Sequence, residues 1–327
     1  MTRCSGIVEN PRGVYHPEQS MTNIQIRREA TFRRDGIFAA LWIPTDKEGR
    51  LLKTEMQGHV ALLKERGVHG ILALGSTGEF LQFSPDQRKV ILSAIAECAS
   101  PLPVIANISD LRPAVVHDLA RFARTLGVAG VALLPPHFYP VAQPDLAEFF
   151  VRGAEAAALP LLLYNFPERT GNRISLETVA AVAARVPVAA IKQSGDEFSY
   201  HLPLVELGRE KRFSVFTGAD TRLADAMALG VAGCIGGLVN AVPELMVEIF
   251  DAVQAGFPER AIAASQKMRA LGELLSPVMF PLNIAATMEA RGWAVGHPKS
   301  IVSRSTQEAY DKLVQELRKL YREWKLI

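Results

Sequence analysis

The chain has 327 residues, of which 49% are hydrophobic and 21% are charged, and its formal net charge is +2. That balance supports a large buried core and gives no electrostatic argument for a nucleic-acid or membrane partner. The sequence contains no uninterrupted apolar run of about 18 residues, so it predicts no membrane-spanning helix. Its three cysteines, Cys4, Cys98 and Cys234, are widely spaced, which is typical of a cytoplasmic protein without a cysteine-ligated metal.

The chain divides into a polar N-terminal stretch and a long regular region. Residues 1–35 lack the apolar core of a secretory signal, so we interpret them as an irregular N-terminal extension. From Gly36 onward, short apolar runs alternate with segments of helical spacing. The apolar runs predict eight strands, at 36–45, 70–74, 102–109, 129–136, 159–167, 186–192, 213–220 and 231–238. A helical segment follows each strand. Five segments have two predicted ends, at 54–66, 113–127, 145–158, 175–185 and 242–255. Of the other three, one begins at a capping box from Ser84 to Gln87, one begins near residue 198 and one ends at Gly230.

Eight strand–helix units in succession predict the fold class. The predicted strands are rich in Val, Ile, Leu and Ala, as in a parallel sheet that is covered on both faces. We therefore predict an α/β protein with a TIM (β/α)8 barrel over residues 36–257. An open doubly wound sheet would need a glycine-rich loop after the first strand, which instead runs into Ile43-Pro44-Thr45. Helical stretches at 259–275, 282–290 and 306–325 predict a C-terminal helical region, residues 258–327, packed on the barrel or on a neighbouring subunit.

The sixth predicted strand ends at a lysine, Lys192, followed by the polar turn Gln193-Ser194-Gly195-Asp196. Barrel enzymes hold their reactive groups at the C-terminal ends of the strands. Burial disfavours the ammonium form of a lysine, and a free amine is the species that Schiff-base chemistry requires. Lys192 is therefore a candidate nucleophile, although a lysine that closes a strand and points to water fits the same local pattern.

Three other strand ends carry candidate site residues. After the second strand, Gly75-Ser76-Thr77-Gly78-Glu79 combines tight turns with two hydroxyls and backbone N–H groups, which suits either a small carboxylate or a turn whose glycines serve geometry alone. After the fifth strand, Tyr164 offers a phenol that can relay protons, or one bonded to a backbone carbonyl. Arg169 in the same loop is either a carboxylate clamp or a surface charge. After the eighth strand, Gly236 and Gly237 allow either the close approach of a ligand or a turn in the barrel wall.

The stretches GSTGEF, YNFPERTG and AAIKQSGD, in this order on a barrel pattern, resemble the dihydrodipicolinate synthase and N-acetylneuraminate lyase family. FTGAD (216–220) and GCIGGLVN (233–240) also resemble family positions. The resemblance extends over about residues 36–255 and implies a class I aldolase or lyase that forms a Schiff base with pyruvate or a 2-keto acid. It implies no metal and no cofactor, a small aldehyde as second substrate, and a homo-oligomer, commonly a tetramer.

The resemblance also implies roles for individual residues. Lys192 is expected to form the imine and Tyr164 to transfer protons. Ser76 and Thr77, with the backbone around Gly75, are expected to bind the pyruvate carboxylate. Ile235 is expected to line the site near C3 of pyruvate, and Arg169 to bind a carboxylate on the incoming aldehyde.

The chain departs from the lysine-pathway members in three places, of which the first is Ser76, which replaces the usual threonine and keeps a hydroxyl. Those enzymes carry a pair of tyrosines after the fourth strand, the second of which reaches a neighbouring subunit. Here PPHFYP (135–140) puts His137 and Phe138 at the pair, with Tyr139 one place later, so Tyr139 and His137 are the possible substitutes. The segment FPLNIAATMEARG (280–292) also differs from the run those enzymes carry.

These departures leave the reaction open. The leading interpretation is a dihydrodipicolinate-synthase-like lyase or aldolase of unassigned aldehyde. The alternatives are an authentic 4-hydroxy-tetrahydrodipicolinate synthase, which condenses pyruvate with aspartate semialdehyde, and a sugar-acid aldolase or dehydratase. A binding protein that kept the fold and lost catalysis is the alternative from another class.

Overall fold

The computed structural model describes residues 31–327. Eight parallel strands form a closed barrel in chain order, with the last strand paired to the first. The strands are β1 (Gly36–Ala40), β2 (Gly70–Ala73), β3 (Val104–Asn107), β4 (Gly130–Leu133), β5 (Leu161–Asn165), β6 (Val188–Gln193), β7 (Ser214–Thr217) and β8 (Gly233–Gly236). Every strand except β7, whose Ser214 is partly exposed, is buried along its whole length. The barrel predicted from the strand–helix alternation is confirmed.

Helices cover the barrel between the strands and continue after it. They are α1 (Lys53–Glu65), α2 (Pro85–Ala99), α3 (Pro113–Thr125), α4 (Gln143–Ala157), α5 (Pro167–Thr170), α6 (Leu176–Ala183), α7 (His201–Lys211), α8 (Leu223–Ala228), α9 (Pro243–Gln254), α10 (Pro258–Leu274), α11 (Leu282–Ala290) and α12 (Arg304–Glu323). The predicted capping box of α2 is confirmed, because the Ser84 hydroxyl accepts from the Gln87 N–H and the Gln87 side chain accepts from the Ser84 N–H.

The strands are shorter than the apolar runs that predicted them. The prediction that the first strand reaches residue 45 is wrong, since β1 ends at Ala40. The Trp42 N–H leaves the ladder and donates to the buried side chain of Asn240, 3.0 Å away, and Pro44 has no N–H to offer. β6 runs one residue past Lys192, because Gln193 still pairs with Asn165 on β5 and with Thr217 on β7.

The C-terminal helices pack on the barrel layer. α10 lies against α8 and α9, and α11 packs against α12 and the turn that follows β8. The division of the chain at residues 35 and 257 stays a prediction, and residues 1–30 of the predicted extension, with Cys4, lie outside the described residues. Within residues 31–327, no helix is both long and apolar enough to cross a membrane.

Candidate active site

A lysine–tyrosine pair lies at the C-terminal end of the barrel. Tyr164 on β5 and Lys192 on β6 are register partners, so their side chains leave the sheet side by side. The Lys192 Nζ donates to the Tyr164 Oη over 3.0 Å. The side chains are only 4% and 2% exposed, which excludes the alternative of a strand-closing lysine that points to water. A buried amine in contact with a phenol can act as a nucleophile beside a proton donor and acceptor.

The loop Gly75–Glu79, here called the hydroxyl loop, brings Ser76 to this pair and buries Thr77 beside Gly237. The Ser76 Oγ lies 3.3 Å from the Tyr164 Oη. Thr77 is buried, and a Cβ at Gly237 would lie 3.1 Å from its Oγ1. Gly78 has no room for a side chain, because a Cβ there would lie 2.9 Å from the Leu41 carbonyl oxygen. The Tyr164 hydroxyl is therefore in contact with both the Lys192 amine and the Ser76 hydroxyl.

Two non-glycine residues with left-handed backbones mark the ends of the hydroxyl loop, Leu74 directly before it and Glu79 as its last residue. Leu74 has φ +57° and Glu79 has φ +54°, a region that non-glycine residues seldom adopt. The Leu74 carbonyl accepts from the buried Asn107 Nδ2 at 2.6 Å, and Asn107 in turn accepts from the Ser109 hydroxyl. Sequence reasoning assigned no role to Asn107, since the contact joins two separate strand ends.

Small residues around Lys192 leave space for it. A Cβ at Gly218, after β7, would lie 3.0 Å from the Lys192 Cε and 2.0 Å from the Ser194 Oγ. On β8, Gly233 pairs with Phe216, which pairs with Lys192. Ile235 is two residues beyond Gly233, so it faces the barrel interior on the same side as Lys192, where it is fully buried.

Sequence reasoning missed a carboxylate, Asp220, whose pKa responds to the charge of Lys192. Burial raises the pKa of Asp220 to about 6, although the charge of Lys192 lowers it. The Leu238 N–H donates to the Asp220 Oδ1 at 3.2 Å, and the absence of a side chain at Gly236 leaves that oxygen room. The sequence carries a signal, because FTGAD (216–220) resembles a family position, but position alone gives its aspartate no function.

A cavity of about 350 Å³ opens beside Ser76 and is here called the side cavity. Arg169 and His137 line it, together with Glu79, Phe80, Leu81, Gln82, Ser109, Asp110, Leu134, Pro135, Thr170, Phe280, Pro281 and Ser300. The Arg169 guanidinium lies 5.8 Å from the ring centre of Phe166 and 5.6 Å from that of Phe280. Among the described residues, no carboxylate forms an ion pair with Arg169, so the guanidinium is available to an anionic ligand.

The two remaining candidates lie near the rim. His137 borders the side cavity, whereas Tyr139 does not and its side chain is 62% exposed. Phe138, at 81% exposure, packs edge-on against Tyr139. Within one chain, the structure therefore brings His137 to the site and leaves Tyr139 outside it.

The described part of the chain contains no group of three or more His, Cys, Asp or Glu side chains that could hold a metal ion. Cys98 and Cys234 are free thiols, and burial raises the pKa of both.

Comparisons with known proteins identify similar sequences and folds. Residues 33–320 match the profile of the dihydrodipicolinate synthetase family. An uncharacterised DapA-like lyase of Halobacterium salinarum is 31% identical over 245 residues, 74% of this chain and 79% of its own. A 4-hydroxy-tetrahydrodipicolinate synthase of Haloarcula marismortui is 26% identical over 85% of this chain and 91% of its own.

Solved structures share the architecture. YagE of Escherichia coli K12, a dihydrodipicolinic acid synthase family protein solved with pyruvate, has a TM-score of 0.82 and 24% identity over 88% of this chain and 98% of its own. The sialic acid aldolase of Ruminococcus gnavus has a TM-score of 0.79 and 22% identity over 89% of this chain and 99% of its own. At identities of 24% and 22%, the similarity to these two structures shows that the chain shares their fold.

Proposed function

The chain belongs to the dihydrodipicolinate synthetase family and is a lyase of the class I, Schiff-base type, and from this premise we propose that Lys192 forms the imine with pyruvate or another 2-keto acid. The observation that carries the proposal is the contact between the Lys192 Nζ and the Tyr164 Oη, 3.0 Å apart and buried together. A rim lysine exposed to water would not have this partner.

The proposed reaction begins when the Lys192 amine attacks C2 of the keto acid. The resulting carbinolamine loses water, and the imine that remains draws electrons from C3. Loss of a C3 proton gives an enamine, which attacks the carbonyl carbon of an aldehyde and forms the C–C bond; the reverse sequence cleaves it. Tyr164 moves the protons, since its hydroxyl is within hydrogen-bond reach of the nitrogen. The covalent imine serves in place of a cofactor.

The hydroxyl loop is the proposed binding site for the keto-acid carboxylate. Ser76 and Thr77 supply hydroxyl donors, and the backbone that turns at Gly75 supplies N–H groups. The support is the distance of 3.3 Å between the Ser76 Oγ and the Tyr164 Oη, which puts the loop next to the reacting nitrogen. Ile235, which is fully buried, is the proposed residue that lines the site near C3 of the keto acid.

The side cavity is the proposed entrance for the aldehyde. Arg169 lines the side cavity without a carboxylate partner among the described residues. The preferred second substrate is therefore an aldehyde that carries a carboxylate of its own, in addition to the carboxylate of the keto acid. An authentic 4-hydroxy-tetrahydrodipicolinate synthase would turn over aspartate semialdehyde with pyruvate. Loss of water from a sugar acid without C–C cleavage would instead mark a dehydratase. His137 is the better candidate than Tyr139 to stand in for the hydroxyl that Phe138 lacks.

Hydrogen exchange at C3 of pyruvate tests the imine function without knowledge of the aldehyde. In heavy water, enamine formation replaces the methyl protons with deuterium, which proton NMR detects. We expect exchange with the wild-type chain and none above background with Lys192→Ala. Lys312→Ala is the control, since the Lys312 side chain is 75% exposed on α12. Absence of exchange in the folded wild type, with pyruvate and with larger 2-keto acids, would favour the non-catalytic alternative.

We also propose a cytoplasmic homo-oligomer, a tetramer on the family pattern. The exposed aromatic pair of Phe138 and Tyr139 is a surface suited to subunit contact. Light scattering at micromolar concentration tests the assembly, and a monomer mass would contradict it. Cell fractionation tests the location, and recovery with membranes or in the medium would contradict it.

A further inference from the structure

The hydroxyl loop needs support at its C-terminal end. Glu79 holds a left-handed backbone, which is unfavourable for a non-glycine residue and persists only where the surroundings impose it. The Glu79 N–H donates to the Ser76 carbonyl oxygen at 3.0 Å, so the placement of Glu79 fixes the turn that presents Ser76. Asn107 supports the other end of the loop through Leu74.

The support for Glu79 comes from the other end of the chain. The Lys299 Nζ donates to the Glu79 Oε2 at 2.7 Å, and the two side chains are only 3% and 11% exposed. The Lys299 Nζ also lies 4.6 Å from the centre of the Trp42 ring. Burial lowers the pKa of Lys299, whereas the Glu79 carboxylate raises it. The pair is thus a desolvated, directional contact between the loop and the segment that joins α11 to α12.

That joining segment is fixed to the top of β1. The Trp42 Nε1 donates to the Val295 carbonyl at 2.9 Å, and the His297 N–H donates to the Thr45 carbonyl at 2.7 Å. Lys299 therefore extends from a backbone that is itself anchored to the barrel. Ser300, the next residue, lines the side cavity together with Glu79.

We propose that Lys299 is a positioning residue for the keto-acid carboxylate site, acting through Glu79 on Ser76 and Thr77. The inference rests on the proposed function of the hydroxyl loop. Buried ion pairs add little net stability compared with apolar pairs of similar volume, whereas this pair joins the hydroxyl loop to an anchored segment of the chain. The chief effect of Lys299 is therefore on affinity for the keto acid rather than on the rate of the bound complex.

Two variants test the proposal through pyruvate exchange. Lys299→Met removes the charge and keeps the stem, and Glu79→Gln combined with Lys299→Met removes both buried charges. We expect each to raise the KM of exchange about tenfold, equivalent to about 1.4 kcal/mol. The kcat of exchange should stay within about threefold of wild type, because the reacting groups are unchanged. Lys312→Met is the matched control and should leave both constants unchanged.

The double variant separates positioning from folding. If the role of Lys299 were purely structural, the double variant would regain both the thermal midpoint of unfolding and the KM of exchange that Lys299→Met alone had lost. The positioning role predicts a restored midpoint and a KM that stays raised. A wild-type KM in either variant, or a double variant that does not fold, would overturn the proposal. Absence of exchange in the folded wild type would be a different result, since it would refute the imine function itself.

Discussion

Replacement of Tyr164 by phenylalanine removes one oxygen atom from the centre of the site. The hydroxyl accepts from the Lys192 Nζ at 3.0 Å and lies 3.3 Å from the Ser76 Oγ. The ring of the variant still fills the space, because Tyr164 is 2% exposed and stacks on Phe166 with ring centres 6.2 Å apart. Tyr164→Phe thus tests the proton transfer with little change in packing.

The size of the effect follows from the role. A positioned acid or base contributes about 10²- to 10⁴-fold, so we expect the kcat of pyruvate exchange to fall at least about a hundredfold, equivalent to about 2.7 kcal/mol. Stability should fall by about 1–3 kcal/mol, because the buried Lys192 amine loses its hydrogen-bond partner. The KM for pyruvate should change little, since the carboxylate site is intact.

Tyr200→Phe is the matched control. Tyr200 is also buried, and its hydroxyl donates to the Ile174 carbonyl at 2.9 Å, away from Lys192. We expect it to lose stability by about 1 kcal/mol and to keep wild-type exchange. Proton NMR in heavy water gives both kinetic constants, and urea unfolding gives the stabilities. Exchange by Tyr164→Phe within threefold of wild type would refute the proposed role of Tyr164.

Three further predictions address the space around the amine, the response to pH and the aldehyde partner. A Cβ at Gly218 would lie 2.0 Å from the Ser194 Oγ, so Gly218→Ala should slow exchange at least about tenfold. Gly58→Ala is the control, because a Cβ at Gly58 would meet no atom within 4 Å. Unchanged exchange by Gly218→Ala would contradict the inference that a side chain at residue 218 crowds Lys192. Burial lowers the pKa of His59 to about 4 from 6.5. The unfolded chain therefore binds more protons between these values, and stability should fall as the pH drops from 6.5 towards 4, by up to about 1.4 kcal/mol per pH unit for this group. Urea unfolding at several pH values measures this dependence, and in His59→Gln the part of the pH dependence that is due to His59 should be lost. The same slope of stability against pH in the variant and the wild type would contradict the prediction. Arg169→Met should raise the KM for aspartate semialdehyde about tenfold or more, if that aldehyde is the partner, and leave pyruvate exchange unchanged; slower pyruvate exchange in this variant would place Arg169 in the keto-acid site instead.

The fold could be predicted because it repeats a local pattern. The apolar runs before Tyr164 and Lys192 both end at polar turns, so the position of these two residues at strand ends follows from the sequence around each of them. Their contact follows from adjacent parallel strands in register, once the order of the strands is known. The end of β1 could not be predicted from its apolar run, because the Asn240 side chain that draws the Trp42 N–H out of the ladder is 198 residues away.

The residues that sequence reasoning missed act over similar distances. Glu79 and Lys299 are separated by 220 residues, and no local pattern distinguishes Lys299 from a surface lysine. Asp220 likewise owes its raised pKa to burial in the assembled site, which its sequence neighbours do not indicate. Side chains were thus predictable where backbone position determines their role, and not where partners from distant elements do.

Trapping of the imine tests the central claim most directly. The protein is incubated with pyruvate, reduced with borohydride, weighed intact and digested, and the adduct is located by peptide mass spectrometry. A single reduced pyruvate adduct on Lys192, absent from Lys192→Ala, is the result we predict. An adduct on another lysine, or none under conditions that label a known pyruvate aldolase, would contradict the assignment of Lys192.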